Sequence, residues 1–197
     1  TVTVDGNNGI GFQTLQAAVT YARTNLTGNV IVTILSDLEE RAKVIQKEGM
    51  NLTINGKNNI LAGQLAIDGE GRYGGTDVLV LENIKFKYSS TLSANGGLVY
   101  FPTKNELGGI YNYAHNITIR NCDFDGTRNC DLDYGTSMDY WGVNVPNGGV
   151  SPINVILENN TCHDIYGFAS FRSTNTVIIR GNTVNVCKGG IILAIKD

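Results

Sequence analysis

The chain is poor in most of the residues that announce a chemistry. Among 197 residues there are two histidines, one tryptophan, two methionines, three prolines and four cysteines. The cysteines stand at 122, 130, 162 and 187, a spacing that matches no zinc pattern. Cys122 and Cys130 bracket a loop and are open to pairing in an oxidising compartment. Cys162 reads as a buried free thiol, and reduced cysteines are the expectation throughout. Charged residues make up only 17%, with a net charge of −3, which argues against nucleic acid or an anionic membrane as a partner. No apolar run approaches the length that spans a bilayer, and no signal-peptide pattern is present. The missing initiator Met leads us to expect a processed chain or a piece of a larger one.

What is abundant is glycine, 24 residues, together with 42% hydrophobic residues, enough for one core in one domain with many bends. A short phrase also recurs four times. It reads Leu79-Val-Leu-Glu-Asn83-Ile-Lys-Phe86, Ile117-Thr-Ile-Arg-Asn121-Cys-Asp-Phe124, Val155-Ile-Leu-Glu-Asn159-Asn-Thr-Cys162 and Val177-Ile-Ile-Arg-Gly181-Asn-Thr-Val184. The bend positions 83, 121, 159 and 181 lie 38, 38 and 22 residues apart. Self-similarity at such a period is the mark of a solenoid. Alternating apolar residues make a half-buried strand, and Asn or Gly suits the bend that follows. A second strand completes each coil, as in 167–171 and 189–195, and a looser coil is visible at 51–56 with 65–67. The expected fold is therefore all-β, a parallel β-helix whose coils stack like on like; a β-sandwich with coincidental spacing is the alternative. Stacking predicts an interior column of Phe86, Phe124, Cys162 and Val184. It also predicts an amide ladder of Asn83, Asn121 and Asn159, and alternating charges at Glu82, Arg120, Glu158 and Arg180.

Residues 1–35 follow another grammar. A strand at 1–4 and a Gly/Asp loop at 5–9 precede Thr14, a helix N-cap, and Leu15, Ala18, Val19, Ala22 and Leu26 at helical spacing. A strand follows at 30–35. The helix over 12–26 is expected to cap the open end of the coil, with coils and long loops (87–115 and 125–153) filling 36–197. The run from Val2 through Phe12-Gln-Thr-Leu-Gln-Ala-Ala to Val19 resembles the opening of the pectate-lyase-like superfamily of right-handed parallel β-helices. There, a strand, a Gly/Asp loop and an F-x-T-[IL]-Q-x-A-[IV] helix precede the first coil. Pectin methylesterases, polysaccharide lyases and many bacteriophage fibre and tailspike proteins share it. The resemblance implies fold far more than activity. The esterase Gln-Asp pair, G-x-x-D-F-I-F-G strand and L-G-R-P-W segment are missing, as are the polygalacturonase N-T-D and G-H-G signatures.

Against a 22-residue coil, the two 38-residue coils carry long insertions at about 87–96, 102–115, 125–140 and 146–153. They hold Tyr88, Tyr111, Tyr113, His115, Tyr134 and Tyr140, with Trp141 just beyond. Tyr111, Tyr113, Tyr134, Tyr140 and Trp141, with Arg172 to meet an acidic sugar, are the candidate carbohydrate-binding residues. A ring stacks on the apolar face of a pyranose while amides and charges take its hydroxyls. The alternative is that the tyrosines pack their own loops. Five of the eleven aspartates fall between 123 and 139. Asp123, Asp125, Asp131 and Arg128 are the catalytic candidates for glycoside hydrolysis or elimination, and Asp131, Asp133 and Asp139 the candidates for calcium. The bland reading is an Asp-rich turn capping its own backbone. His163-Asp164 is an isolated acid–base candidate. Asn-x-Thr sequons at Asn25, Asn51, Asn116 and Asn159 follow from composition, and glycosylation is discounted.

The expectation is a non-catalytic structural or recognition protein, a phage fibre, spike or head decoration or another extracellular surface assembly. Its partners would be polysaccharide or other virion or surface proteins, in a homo-oligomer, a trimer for instance, with no cofactor beyond calcium. A strand at 191–195 with no cap is expected to be covered by more protein or another subunit. The rival is a secreted polysaccharide lyase or glycoside hydrolase.

Overall fold

Described in the computed structural model are residues 1–4, 11–92, 96–127, 140–148, 154–172, 174–186 and 189–193. Among these residues the protein is mostly β with one short helix. It opens with β1 (Val2–Val4), β2 (Gly11–Phe12) and α1 (Leu15–Asn25). Two repeats of long strands follow, β3 (Gly28–Ile34) with β4 (Leu38–Ile45), then β5 (Met50–Asn55) with β6 (Ile60–Asp68). Four repeats of three short strands complete it. These are β7 (Leu79–Glu82), β8 (Lys85–Lys87) and β9 (Gly97–Tyr100); β10 (Ile117–Arg120), β11 (Asp123–Asp125) and β12 (Trp141–Val145); β13 (Asn154–Glu158), β14 (Thr161–His163) and β15 (Gly167–Phe171); and β16 (Thr176–Arg180), β17 (Thr183–Asn185) and β18 (Gly190–Leu193).

Corresponding strands pair in parallel. In the first stack β1 and β2 form an antiparallel edge on β3, which continues through β5, β7, β10 and β13 to β16. So β3, which the sequence groups with the cap, shares a sheet with the repeats. β4 pairs with β6 along its length, and beyond β6 the second sheet divides into two stacks. The first residues of β6 pair with β8, leading to β11, β14 and β17, while Leu65 and Ala66 pair with β9, leading to β12, β15 and β18. Between the two halves sits Gly63, with φ +132 and so little room that a Cβ would lie 2.1 Å from the Glu40 carbonyl oxygen. Only glycine adopts such an angle without strain. The three stacks enclose one apolar cluster.

The recurrent phrase lies where its periodicity predicts. Leu79, Ile117, Val155 and Val177 are in register, as are Phe86, Phe124, Cys162 and Val184. The first three of that second column are buried, and the Phe86 and Phe124 rings stack at 5.0 Å. Val184 is partly exposed because β17 is outermost in its stack among the described residues. Asn83, Asn121, Asn159 and Gly181 take left-handed φ of 54, 51, 54 and 65°, as a tight bend demands. The amide ladder, however, sits one residue further on. Asn160 Oδ1 accepts from the Cys122 amide at 2.9 Å, and Asn160 Nδ2 donates to the Ile119 carbonyl and to Asn182 Oδ1. Asn182 Nδ2 in turn donates to the Leu157 carbonyl. The left-handed residue makes the bend, whereas the next side chain reaches backbone groups that strand pairing does not use. The charged column forms ion pairs at 2.7 Å between Arg120 and Glu82 and between Arg180 and Glu158.

The helix α1 begins as predicted, Thr14 Oγ1 accepting from the Ala17 amide at 3.1 Å. Leu15, Ala18, Val19 and Ala22 are its buried stripe. Two contacts from β4 were not legible in sequence. The Glu40 carboxylate accepts the first amides of the helix, Leu15 and Gln16. Gln16 then pairs with the Lys43 backbone like a strand, accepting its amide at 2.7 Å and donating to its carbonyl at 3.3 Å. Cys122 and Cys162 are free, buried thiols, so Cys122 is not in a disulfide; Cys130 and Cys187 lie outside the described residues.

Candidate carbohydrate-binding surface

The described long connections lie at the two ends of the third stack's strands. Residues 88–92 sit before it, and residues 69–78 and 102–116 run from it back to the first stack. The connection 102–116 is pinned by two buried polar residues. Asn112 accepts from the Gly69 and Ala114 amides at 2.9 and 3.2 Å and donates to the Ile67 and Pro102 carbonyls at 2.9 and 3.1 Å. All its hydrogen-bonding capacity is thereby used, which is how a buried amide is tolerated. His115 is held by Gln46, whose amide accepts from the His115 N–H at 2.9 Å and donates to its carbonyl at 2.6 Å. The His115 ring meets two acceptors, the Tyr113 carbonyl at 2.9 Å from Nδ1 and Asp77 Oδ1 at 2.8 Å from Nε2. Arg72 adds a two-pronged contact to Asp77 at 3.1 and 3.2 Å. Burial alone would push the Asp77 carboxyl up, but the hydrogen bonds from Arg72 and His115 outweigh it and hold it below the usual carboxylate range.

With Asn112 turned inward, its neighbours Tyr111 and Tyr113 turn out. Their rings stack at 5.6 Å with planes 13° apart. Tyr73, from the 69–78 connection, meets Tyr113 edge-on at 5.3 Å, and Lys104 Nζ lies 4.1 Å from the Tyr111 ring centre. Tyr73 is 72% exposed and Tyr111 43%. Three tyrosines from two successive repeats thus form one solvent-facing platform on a rigid base. Sequence reasoning reached Tyr111 and Tyr113 but missed Tyr73. Its signal was the glycine-rich run 69–75, which presents a ring on a tight turn.

The other candidates are dispersed. Tyr140 and Trp141 are buried, and neither offers a ring face to solvent. Tyr140 donates to the Gly97 carbonyl at 3.2 Å, and Trp141 packs edge-on against Tyr166 and fills the space above Gly167. Arg172 is exposed just after β15, two repeats away from Tyr111. Tyr134, Arg128, Asp131, Asp133 and Asp139 lie outside the described residues, so the calcium candidates do as well.

Asp123 and Asp125 stand on the outer face of β11. Asp125 Oδ1 accepts from the Thr127 amide at 2.7 Å, capping its own turn, and Asp123 accepts from the Thr161 hydroxyl. His163 on β14 joins them. Its Nε2 lies 3.3 Å from Asp123, its Nδ1 2.8 Å from Asp164 and 3.9 Å from Asp125. The hydrogen bond to Asp164 raises the His163 pKa, partial burial opposes the rise, and Asp123 and Asp125 add to it. Nearby lies an open groove lined by Asp37, Glu39, Lys87, Tyr88 and Thr127. On the third stack, Glu106 accepts from the Tyr100 hydroxyl and from the Thr103 amide and hydroxyl. Burial and this carboxylate push the Tyr100 phenol up.

Compared with protein-family models, with curated proteins and with solved structures, the chain matches none.

Proposed function

We propose that this chain is a right-handed parallel β-helix acting as a non-catalytic recognition module of a virion or another extracellular surface assembly, where it holds polysaccharide. The observation that carries the reading is the Tyr73–Tyr111–Tyr113 platform. Exposed rings on a base of satisfied buried amides lose little freedom on binding, which favours stacking on a sugar face. Lys104 beside the Tyr111 ring suits a sugar bearing a carboxylate. The β-helix is supported by in-register parallel pairing of three strand stacks and by the left-handed corner residues. Homo-oligomerisation is supported by the apolar exposure of the outermost described strands.

The test is binding of a panel of neutral and acidic oligosaccharides by titration. Tyr73→Ala and Tyr111→Ala should each weaken the best ligand about 3- to 10-fold, as loss of one ring contact worth about 0.5–1.5 kcal/mol implies. No binding by the parent chain, or binding by both variants as tight as the parent's, would sink the reading. The enzyme reading draws on one observation, the carboxylates of Asp123 and Asp125 beside His163 on a single outer face. It requires release of reducing ends from some polysaccharide, abolished in Asp123→Asn.

A further inference from the structure

The groove on the outer face of the second stack uses other strands and another connection than the tyrosine platform. It encloses about 850 Å3, and ligand sites span about 300–1,000 Å3. Its floor follows from register. Glu39 on β4, Ala62 on β6 and Lys87 on β8 stand in one row across three parallel strands. Leu61 and Phe86, the neighbours in sequence, are buried, so the row itself faces out. The methyl group of Ala62 leaves a depression between a carboxylate and an ammonium two strand spacings apart, roughly 10 Å. That is too far for an ion pair, and neither charged side chain has an ion pair or hydrogen bond among the described residues. Charges on adjacent strands of the first stack do pair, Arg120 with Glu82 and Arg180 with Glu158. Asp125, the next residue of the row beyond Lys87, is turned to the Thr127 amide instead. The connection after β8 adds a polar wall. Ser89 and Thr91 share a hydrogen bond at 3.1 Å, and Ser90 stands exposed between them. Tyr88, edge-on to Tyr140 at 4.9 Å, lines the groove with a hydroxyl that has no hydrogen-bond partner among the described residues.

We propose that this groove binds a zwitterionic saccharide, its ammonium group held by Glu39 and its carboxylate by Lys87. A ligand of one sign satisfies one wall and is repelled by the other, so the pair of unpaired charges selects for both. Side-chain hydroxyls, a tyrosine and a small apolar floor suit the hydroxyls and the apolar face of a pyranose. A peptide carrying Lys and Asp matches the charges but gains no main-chain pairing on the floor. There β6 and β8 spend their backbone groups on each other and on β4 and β11. This site goes beyond the platform and does not depend on it.

The experiment is an amide NMR titration of the full chain with a glucuronic acid–glucosamine disaccharide whose amine is free. The same disaccharide is then used N-acetylated, and separately as its methyl ester. Shifts should appear at residues 37–39, 60–62 and 87–91. Removing either ligand charge should weaken binding about 2- to 5-fold, the worth of one exposed charge pair. Glu39→Gln should weaken the free-amine form by that factor and leave the N-acetylated form unchanged. Lys87→Gln should do the same for the free acid against its ester. Both positions are exposed, so neither substitution disturbs packing. Tyr73→Ala should leave this binding unchanged, which separates failure of the groove from failure of the platform. The assignment is overturned by absence of shifts at these residues or by equal binding of the three ligand forms. A Glu39→Gln loss that persists with the N-acetylated form, or a Lys–Asp dipeptide that binds as tightly as the disaccharide, overturns it as well.

Discussion

Gly75 is where a single methyl group meets the base of the tyrosine platform. A Cβ there would lie 2.1 Å from Nε2 of His115, a ring fixed between Asp77 and the Tyr113 carbonyl. Gly75→Ala should therefore destabilise by about 1–3 kcal/mol, as overpacking of a rigid site does, and lower the urea midpoint. Asn160 shows the opposite hazard. Asn160→Ala strands the Cys122 amide and the Ile119 carbonyl in the interior, at a cost of about 1–3 kcal/mol for each unsatisfied group. Titration adds a pH signature. The folded pKa of His163 lies above its unfolded value of about 6.5, so its contribution is complete below that pH and is lost as pH rises through the folded value. Asp77 has the reverse sign, its lowered pKa contributing stability above about pH 3.9 that is lost on acidification. Unfolding midpoints across pH should show the alkaline loss in the parent chain and not in His163→Gln.

Among elements, α1 is the one whose stability is borrowed. An 11-residue helix is marginal alone, and here its first turn is completed by the carboxylate of Glu40 and its flank by the Gln16–Lys43 pair. Glu40→Gln should cost about 0.5–2 kcal/mol, since it removes both the charge at the helix N-terminus and an amide acceptor. Amide exchange should quicken first at residues 15–18. The long strand β6 plays a comparable part for the sheets, because it carries β4 on one side and divides into two stacks on the other, with Gly63 between the two halves. The repeats themselves were readable in the sequence because strand, bend and return recur in the same order. The bend at 83, 121 and 159 was predicted by residue type, and its left-handed angle follows from sterics. The ladder at Asn160 and Asn182 was misplaced by one residue, because residue type does not reveal which side of a bend faces unpaired backbone.

At the scale of the molecule, the core is one continuous cluster, and several exposed apolar residues lie on β16, β17 and β18. Ile178, Val184, Ile191 and Leu193 are all open, Leu193 at 56%. We expect concentration-dependent self-association in sedimentation, reduced in Ile191→Lys/Leu193→Lys; a monomer at every concentration would remove the oligomer from the proposal. The same core protects its thiols. Burial pushes Cys122 up to about 12 and Cys162 higher still. Iodoacetamide at pH 8 should leave both unmodified in the folded chain and label both in denaturant, as peptide mass spectrometry would read.

The sequence alone determined the repeated strands, their register and the helix α1, because these rest on periodicity and on local capping chemistry that a short window contains. The tertiary structure alone decided which aromatic residues are available. Tyr140 and Trp141 stand beside loops in sequence, yet neighbouring repeats cover them. Tyr73 and Tyr113 lie 40 residues apart and meet only because successive repeats stack. The His163 cluster has the same origin. Its carboxylates come from two strands in parallel register, and no local window holds Asp123, Asp125, His163 and Asp164 together.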